Sequence, residues 1–432
     1  MGMALPPLES QKKSLMPNLF EKVSVVGLGY IGLPTAAVIA SKGVSVLGVD
    51  VQARVVETLN AGEIHIVEPD LAGILKSAVT AGNFRASLQP EPADVFVIAV
   101  PTPFKGDHEP DLSFVEAAAR SIAPCLRKGS LVILESTSPV GTTEEMVKWL
   151  AQERSDLSFP VAGQTPADVF VAYCPERVLP GRVLHELVAN DRVIGGITAA
   201  CAERAIDFYR LFVQGQCLAT EARTAEMAKL TENAFRDVNI AFANELSLIC
   251  DRLGINVWEL IKLANHHPRV NVLQPGPGVG GHCIAVDPWF IVHSAPEQAQ
   301  LIATARRVND SKPHAVIEKI RQALGDREDG RTVAMLGLAF KPDIDDLRES
   351  PALEIAAHMA REHTGPVLVV EPHIEAMPAA LQKFGHVRLV SATEAIEAAD
   401  VVVLLVNHSQ FKLVDPLTLK DKTLIDTRGL WS

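Results

Sequence analysis

The stretch of this sequence with the clearest chemical potential is residues 276–288, GPGVGGHCIAVDP, in which four glycines precede a single cysteine. Glycines allow positive φ angles and a close approach of the backbone to a ligand. The pair Asp287-Pro288 predicts an N-cap and the first position of a new helix. A thiol about one turn before a helix N-terminus has its thiolate favoured by the helix dipole, as a nucleophile requires. The alternative is a glycine hinge with a buried, inert Cys283.

A second motif lies near the start of the chain, where Gly27-Leu28-Gly29-Tyr30-Ile31-Gly32 joins a short β-branched strand to an apolar helix. The next strand ends at Asp50. Glycines at this spacing admit a pyrophosphate at the helix N-terminus, and an acid after the second strand accepts from the adenosine ribose. Because the carboxylate repels a 2′-phosphate, the motif predicts NAD rather than NADP as the cofactor.

Polar residues follow three further strands, which are expected at residues 95–100, 131–135 and 169–173. Ligands of open α/β sheets lie beyond the carboxyl ends of the strands. Thr102 and Thr137 are therefore candidates for cofactor or substrate contact, and Thr143 is a further one. Turn chemistry is the alternative for these threonines. Glu176 is either a base or a surface acid paired with Arg177.

Residues 224–253 contain neither Gly nor Pro and are followed by Gly254, so they predict one helix of roughly 45 Å that ends at a C′ glycine. It is apolar almost all round, which predicts burial, partly against a second subunit. One narrow arc is polar, and its members are Glu226, Lys229, Asn233, Asp237 and Asn244. These side chains form either a hydrogen-bond network between helices or the wall of a site.

After a polar tract at residues 326–331, the pattern of strand, glycine turn, helix, strand and acid starts again, with Glu371 as the acid. This turn lacks the full glycine triplet, so it predicts a second mononucleotide-binding fold for a ligand other than a dinucleotide. Lys341, Arg348 and Arg428 lie on its expected rim. They form a clamp for phosphates, unless they are solvated surface charges.

The composition is that of a soluble globular protein, with 432 residues, 48% of them apolar and 21% charged. This length predicts two or three domains. The net charge of −12 argues against nucleic acid and anionic membranes as partners. The six cysteines show no metal-ligand spacing and follow no secretory signal, so reduced thiols, a cytoplasmic location and no metal site are expected.

From residue 21 onward the chain resembles the UDP-glucose/GDP-mannose dehydrogenases. The resemblance rests on five motifs in this order: GLGYIGLP (27–34), CPERVLPG (174–181), KLTENAF (229–235), GPGVGGHCIAVDP (276–288) and FKPDIDDLRESP (340–351). The stretches most similar to bacterial members acting on UDP-N-acetyl-D-mannosamine are residues 62–71, 100–111 and 271–283. The resemblance implies oxidation of a sugar C6 alcohol to the carboxylate with two NAD+, in bacterial surface polysaccharide synthesis.

The resemblance also implies roles for individual residues. The set expected for catalysis is Cys283, Lys229, Asn233, Glu176, Thr137 and Asp287. Cys283 would hold the aldehyde as a thiohemiacetal and then as a thioester. Lys229 and Asn233 would stabilise negative charge on the C6 oxygen, Thr137 and Glu176 would position the hydrolytic water, and Asp287 would support the site. The cofactor contacts that carry over are Tyr30, Ile31, Asp50 and Thr102.

For the nucleotide sugar, the resemblance implies a mainly basic set of contacts beyond the Lys229 and Asn233 pair. Its members are Arg177, Val178, Arg236, His267, Arg269, Gly280, Lys341, Arg348 and Arg428. In the family an arginine near Arg269 reaches the substrate of a neighbouring subunit, which implies a homodimer. UDP-glucose enzymes carry a second glutamate four residues after the one matched by Glu176. Pro180 stands there in this chain, which favours an N-acetylhexosamine.

The expected fold class is α/β, with two Rossmann-like doubly wound domains joined by a long central helix in a helical dimerisation domain. The expected limits are an N-terminal extension at 1–20, an NAD-binding domain at 21–212, a central domain with the cysteine loop at 213–325 and a UDP-sugar-binding domain at 326–432.

Three other activities remain open at this point. A UDP-N-acetylglucosamine 6-dehydrogenase would use the same catalytic residues, because the C2 epimers differ in one or two contacts. The β-hydroxyacid dehydrogenases also join a Rossmann domain to a helix with Lys-x-x-x-Asn, but they need neither Cys283 nor the second fold. A non-catalytic NAD-sensing protein would turn over no nucleotide sugar.

Overall fold

The computed structural model describes residues 20–106, 108–163, 166–179, 181–281, 283–325 and 330–431. These residues form two compact units, one from the chain up to Lys105 and from Pro110–Lys229, the other from Gly106–Glu109 and from Leu230 onward. Apart from Phe20, the expected N-terminal extension lies outside the described residues. No helix in the described part of the chain has both the length and the apolar character needed to cross a membrane.

Strands and helices alternate up to residue 221, because short β-branched runs alternate with longer apolar or amphipathic ones. The strands are β1 (Lys22–Val26), β2 (Ser45–Val49), β3 (Phe84–Ser87), β4 (Val95–Ile98), β5 (Phe104–Lys105), β6 (Glu109–Pro110), β7 (Leu131–Leu134), β8 (Phe170–Tyr173), β9 (Arg192–Gly196) and β10 (Cys217–Glu221). The helices are α1 (Gly32–Ser41), α2 (Ala53–Asn60), α3 (Leu71–Thr80), α4 (Ser113–Ile122), α5 (Thr142–Glu153), α6 (Val183–Ala189) and α7 (Ala199–Tyr209).

Eight of these strands form one sheet in the order β10-β9-β8-β7-β4-β1-β2-β3. All neighbours run parallel except β8 and β9. The central strands β4 and β7 are buried along their whole length, as expected of a parallel sheet covered on both faces. Six strands follow the order of dinucleotide-binding folds, with β1 and β4 at the switch point. Strand β10 lies beyond the expected domain limit at 212, yet it extends this sheet.

Helix α8 (Ala222–Leu253) begins at Ala222 and ends, as predicted, before Gly254, whose φ is 68°. The division between the two units falls inside it, after Lys229. The later helices are α9 (Val257–Ala264), α10 (Asp287–Ser294), α11 (Gln300–Leu324), α12 (Pro351–Glu362), α13 (Ala379–Gln382) and α14 (Ala392–Ala398). The later strands are β11 (Val333–Leu336), β12 (Val367–Val370), β13 (Val387–Leu389), β14 (Val401–Leu404) and β15 (Thr423–Asp426).

The second unit contains a parallel sheet in the order β13-β12-β11-β14-β15, which repeats the arrangement around β1. The first turn is also repeated. The N–H of Gly27 donates to the carbonyl of Val49, and the N–H of Gly337 donates to the carbonyl of Val370, each at 2.8 Å. The expected α/β class with two Rossmann-like folds is confirmed.

The polar arc of α8 is largely a structural network. Asp237 is fully buried and accepts from Arg306 Nη1 at 2.5 Å and from Asn309 Nδ2 at 2.8 Å, both on α11. Asn244 donates to Asn309 Oδ1 at 2.9 Å and accepts from the N–H of Gly276, also at 2.9 Å. The two helices and the start of the glycine loop are therefore joined by one set of buried hydrogen bonds.

We expect Asp237→Ala to lower the free energy of unfolding by about 3 kcal/mol, because it removes the fully buried one of the two acids that pair with the guanidinium of Arg306, the other being the more exposed Asp310. Asp237→Asn should lose less, since its amide oxygen still accepts. Denaturant titration measures both.

Asp251→Ala on the same helix is the matched control. Asp251 pairs with Lys319 at 2.5 Å, but both side chains are about two-fifths exposed, so the loss should stay below about 1 kcal/mol. Equal losses for Asp237→Ala and Asp251→Ala would contradict this account of the network.

Candidate active site

The glycine turn after β1 is closed on two sides and open on a third. A Cβ on Gly27 would lie 2.5 Å from the carbonyl oxygen of Ala99, and one on Gly32 would lie 1.8 Å from that of Gly27. A Cβ on Gly29 would meet no described atom within 4 Å. The open side therefore lies at the start of α1, where the backbone can approach a pyrophosphate. The turn fits a dinucleotide.

Asp50 holds this turn in shape. Its carboxylate accepts from the N–H of Leu28 and from that of Gln52, each at 3.0 Å. A carboxylate has about four acceptor positions, so two remain for ribose hydroxyls. Tyr30 is exposed and Ile31 half-buried on the same turn, and their contact with the cofactor stays a prediction.

The structure brings Thr102 and Thr137 together, because β4 and β7 are neighbours in the sheet. The hydroxyl of Thr102 donates to the carbonyl oxygen of Thr137 at 2.6 Å. Both residues are half-buried at the carboxyl edge. The hydroxyl of Thr102 is therefore partly committed to positioning the loop that carries Thr137.

Thr143 lies in the first turn of α5, and its contact with the cofactor stays a prediction. It is fully buried, and its hydroxyl donates to Glu226 Oε1 at 2.6 Å. The same carboxylate accepts from the N–H groups of Gly141 at 2.6 Å and of Thr143 at 2.8 Å. Glu226 therefore caps the start of α5, where a helix end attracts negative charge, although its burial raises its pKa.

Glu176 is not a surface acid paired with the side chain of Arg177, so that alternative is wrong. It is buried, and its Oε2 accepts from Arg192 Nη1 at 2.7 Å. Its Oε1 accepts from the backbone N–H of Arg177 at 2.6 Å. Sequence reasoning missed Arg192 because it lies on β9, sixteen residues further along the chain.

A cluster of buried titratable groups surrounds this pair. Glu135 follows β7, and burial together with the charge of Glu176 raises its pKa to about 7. The hydroxyl of Tyr209 donates to it at 2.7 Å. Burial also raises the pKa of the Cys174 thiol to about 12, which makes that cysteine inert. The cluster lies at the carboxyl edge of the sheet, where ligands of this fold bind.

Lys229 and Asn233 lie one turn apart on α8, and both are half-buried. The amide of Asn233 donates to the carboxylate of Asp287 at 2.6 Å. Val286 is the N-cap of α10 and Asp287 its first residue. The expectation that Asp287 is the N-cap was therefore one position off.

Cys283 is the only exposed cysteine of the six, since Cys125 and Cys217 are half-buried and the others are buried. The alternative of a buried thiol is therefore wrong. Its carbonyl oxygen accepts from the N–H of Asp287 at 2.9 Å, so the cysteine lies one turn before α10 as predicted.

The glycines before Cys283 pack closely against other parts of the second unit. A Cβ on Gly276 would lie 2.6 Å from Arg428 Nη1, and one on Gly278 would lie 2.8 Å from Pro351. A Cβ on Gly280 would lie 2.2 Å from the carbonyl oxygen of Glu349. At these three positions the glycine backbone therefore packs against the protein itself, whereas the sequence predicted a close approach to a ligand.

The three basic candidates of the second unit make different contacts within the protein. The guanidinium of Arg348 pairs with Asp346 at 2.7 Å. Arg428 Nε donates to the carbonyl of Leu405 at 3.1 Å, and burial lowers its pKa to about 10. Lys341 lies 6.0 Å from the ring of its neighbour Phe340.

The remaining candidates for the nucleotide sugar differ in exposure. Arg236, His267 and Arg269 are exposed, and the N–H of Arg269 donates to His267 Nδ1 at 3.3 Å. Arg177 and Val178 are half-buried after β8.

Among the described residues, Asp343, His373 and His408 form a cluster of metal-ligand types, with ligand atoms within 4.8 Å of one another. His408 Nδ1 accepts from the N–H of Asp343 at 3.0 Å, and its Nε2 lies 3.0 Å from Glu371. Both ring nitrogens are therefore engaged, and the cluster is explained by its own hydrogen bonds.

Comparison with known proteins agrees with this geometry. The NAD binding domain, central domain and UDP binding domain of the UDP-glucose/GDP-mannose dehydrogenase family match residues 21–213, 223–311 and 334–432. An NDP-N-acetyl-D-galactosaminuronic acid dehydrogenase of Ralstonia nicotianae is 61% identical over 413 residues, covering 96% of this chain and 97% of that protein. A UDP-N-acetyl-D-mannosamine dehydrogenase of Yersinia pestis is 60% identical over 419 residues, covering 95% and 99%.

A solved structure gives the same result. The UDP-N-acetyl-mannosamine dehydrogenase of S. aureus is 42% identical and superposes with a TM-score of 0.83, covering 95% of this chain and 99% of that one. Fold and site together place the present chain among the NAD-dependent dehydrogenases of nucleotide sugars. It belongs to the UDP-glucose/GDP-mannose dehydrogenase family. The predicted family and the predicted cofactor, NAD, are confirmed.

We expect Asp50→Asn to reduce the preference for NAD+ over NADP+ by about tenfold, since the charge that repels a 2′-phosphate is lost. The amide oxygen still accepts from Leu28, so the turn should keep its shape. The kcat/KM values for the two cofactors measure this ratio.

Glu371→Gln, at the equivalent place in the second fold, is the matched control and should leave the ratio unchanged. Equal kcat/KM for both cofactors in the unaltered protein would show that Asp50 does not select NAD+.

Proposed function

We propose that this protein oxidises the C6 alcohol of UDP-N-acetyl-D-mannosamine to the carboxylate, giving UDP-N-acetyl-D-mannosaminuronate. The observation that carries the proposal is the contact between Asn233 and Asp287 at 2.6 Å. It connects the helix that carries Lys229 to the turn that carries the exposed thiol of Cys283. An exposed nucleophile is needed for oxidation beyond the aldehyde, because an alcohol dehydrogenase that stops there needs none.

The overall change removes four electrons: R–CH2OH, two NAD+ and one water give R–COO−, two NADH and three protons. Bound NAD+ supplies the hydride-accepting nicotinamide for each of the two oxidations. The residues of the chain must hold the sugar, carry the aldehyde carbon and admit water once.

Lys229 and Asn233 are proposed to hold the C6 oxygen. Among the described residues, Lys229 makes no hydrogen bond or ion pair, so its three donors are available. Asn233 uses one N–H on Asp287 and keeps a second N–H for the substrate. Both donors stabilise the negative charge that develops on the oxygen as hydride leaves C6.

Cys283 is proposed to add its thiolate to the aldehyde carbon, forming a C–S bond and a thiohemiacetal. Loss of the second hydride from that carbon gives a thioester. Water then attacks the thioester carbon, the C–S bond breaks and the thiol is regenerated. Thr137 and Glu176 are proposed to position this water, since both lie at the carboxyl edge of the first sheet.

The nucleotide is proposed to bind on the second fold through Lys341, Arg348 and Arg428, whose charges suit a diphosphate. The remaining contacts carried over from the family motifs are Gly280, Arg177, Val178, Arg236, His267 and Arg269. Gly280 contributes through its backbone, since its position tolerates no side chain.

The identity of the sugar rests on relatives of nearly equal similarity. A relative named for N-acetyl-D-galactosaminuronic acid is 61% identical, and one named for UDP-N-acetyl-D-mannosamine is 60% identical. Both act on N-acetylhexosamine derivatives by name, which agrees with Pro180 as the departure from glucose enzymes. We choose N-acetylmannosamine because residues 62–71, 100–111 and 271–283 are most similar to that group. The N-acetylgalactosamine epimer is the second candidate, and the N-acetylglucosamine epimer, left open by the sequence, is the third.

We also propose a cytoplasmic location, where NAD+ and nucleotide sugars are available, and a role in surface polysaccharide synthesis. The domain limits at residues 20, 212 and 325 are proposed as well, and β10 extends the first sheet beyond the second of these limits.

A homodimer through α8 is a further proposal. In a single chain this helix exposes Phe235, Phe242 and Ile249, with 67%, 51% and 46% of their surfaces accessible. They are seven residues apart and therefore lie on one side of the helix. A row of exposed aromatic and aliphatic side chains of this kind is typical of a subunit interface.

Incubation with NAD+ and a panel of UDP-N-acetylhexosamines should give two NADH per uronate, with UDP-N-acetyl-D-mannosamine used best. Cys283→Ala should abolish uronate while any residual oxidation stops at the aldehyde. Lys229→Ala should slow both oxidations by about a hundredfold or more, since a charged donor is lost in each. NADH and uronate are counted in single-turnover experiments.

Cys250→Ala, which alters a buried cysteine, is the control for loss of a thiol. Two NADH and normal uronate from Cys283→Ala would exclude the thioester mechanism. Turnover of a different epimer alone would replace the substrate and leave the mechanism standing.

Phe242→Glu should convert the dimer to monomers, because a charge would be buried in the interface. Leu413→Glu, which changes a residue that is 87% exposed elsewhere on the second unit, should leave the dimer intact. Sedimentation velocity at micromolar concentration distinguishes the two states. A fully active monomer of the unaltered chain would refute the interface.

A further inference from the structure

Contacts other than its ion pair with Glu176 help to fix the position of Arg192. It is 2% exposed on β9, and its Nη2 donates to the carbonyl of Leu187 at 3.2 Å. Its guanidinium lies 5.5 Å from the centre of the Tyr209 ring. Its Nη1 donates to Glu176 at 2.7 Å. A buried cation fixed on several sides can fix its partner in turn.

The Glu176 carboxylate is therefore constrained at both oxygens. Oε1 accepts from the N–H of Arg177 and Oε2 from Arg192. Removal of the guanidinium would leave a buried carboxylate with one backbone partner, and such a group protonates or turns away. With both partners present, the orientation of the Glu176 carboxylate is fixed, so its unused lone pairs point in a constant direction.

Glu135 is a second buried acid, and Tyr209 connects it to the same guanidinium, which lies 5.5 Å from the centre of the Tyr209 ring. The hydroxyl of Tyr209 donates to it at 2.7 Å. The charge of Glu176 raises the pKa of Glu135, and that of Arg192 lowers it, so the three charges are coupled.

We propose that Arg192 is a positioning residue that aims the Glu176 carboxylate at the hydrolytic water, and that Glu135, when ionised, draws part of the same guanidinium charge away from Glu176. The proposal rests on the water-positioning role given to Glu176 above. Under this proposal the cluster affects the rate of thioester hydrolysis and does not affect the rate of hydride transfer.

The ionisation of Glu135 changes within the working range of pH. Burial raises its pKa to about 7, so it is neutral below that pH and charged above it. The groups that face it are Glu176, Arg192, Tyr209 and Cys174. The pKa of Tyr209 is raised well above its ordinary value and that of Cys174 to about 12, so both stay neutral. Above about pH 7 the cluster therefore carries one more negative charge than below it.

The first test is single-turnover kinetics of Arg192→Met and Arg192→Lys with NAD+ and UDP-N-acetyl-D-mannosamine. We expect Arg192→Met to slow uronate release by about tenfold to a hundredfold, while NADH formation changes little and the acyl-enzyme accumulates by mass spectrometry. Arg192→Lys should recover part of the loss. Arg210→Lys, at an exposed arginine, should match the unaltered protein.

Equal slowing of NADH formation and uronate release would indicate a merely structural role for Arg192 and overturn the proposal. If Arg192→Met does not fold, the lysine variant and the following pH experiment decide the question.

The second test compares Glu135→Gln with the unaltered protein across pH. The two hydrolysis rates should coincide below about pH 6, where Glu135 is neutral, and the variant should be faster above about pH 8. A constant ratio of the two hydrolysis rates across this pH range would refute the proposal that Glu135 and Glu176 share the charge of Arg192.

Glu176→Gln separates this proposal from the one on which it rests. If that variant hydrolyses the thioester normally, the role of Glu176 falls. If it is slow and Arg192→Met adds nothing further in the double variant, the two residues act as one unit, as proposed.

Discussion

The buried hydrogen bonds between α8 and α11 are the constraint on which the candidate site depends. Asn309 donates to Asp237 and accepts from Asn244, and Asn244 accepts from the N–H of Gly276. Buried polar groups of this kind tolerate little displacement, because each broken bond leaves a desolvated partner. The helix that carries Asn233 and the loop that leads to Cys283 are thus fixed to one another by groups to which the proposed mechanism gives no role.

The glycine loop illustrates how packing can place a nucleophile. Gly276, Gly278 and Gly280 lie against Arg428, Pro351 and the backbone of Glu349 at distances that exclude any side chain. Glu349 itself has a φ of 48°, which is uncommon for a residue with a side chain. Strain of this sort persists only where the surroundings enforce it. The position of the loop therefore also depends on residues that follow the cysteine by more than sixty positions in the sequence.

Features that depend on neighbouring residues could be predicted from the sequence, whereas contacts between residues far apart in the sequence could not. The glycine turn, Asp50, the long helix and the repeated fold all follow from short spacings, since each is set by neighbours in sequence. The partner of Glu176 could not be found that way, because Arg192 reaches it only through the antiparallel strand β9. Arg306, Asn309 and Lys312 are buried on α11 and recur every three residues, a polar stripe that could have indicated the partners of the arc on α8. The hydrogen bond from Thr143 to Glu226 could not be predicted either, because the two residues are 83 positions apart in the sequence.

The burial of Glu371 bears on the order of events in a turnover. In the second fold this acid is 4% exposed. Its Oε2 accepts from the N–H groups of Leu338 and Ala339 and lies against His408, and its Oε1 accepts from the N–H of His373, so its burial and these four partners leave no room for a ribose. Within the described residues, a dinucleotide can be held in this manner only at Asp50. In the reaction proposed above, two hydrides from one sugar are accepted at this one NAD site, so the cofactor must be exchanged between the two oxidations. The half-oxidised sugar must stay on the protein during that exchange. A covalently bound intermediate does so, whereas a free aldehyde would diffuse away.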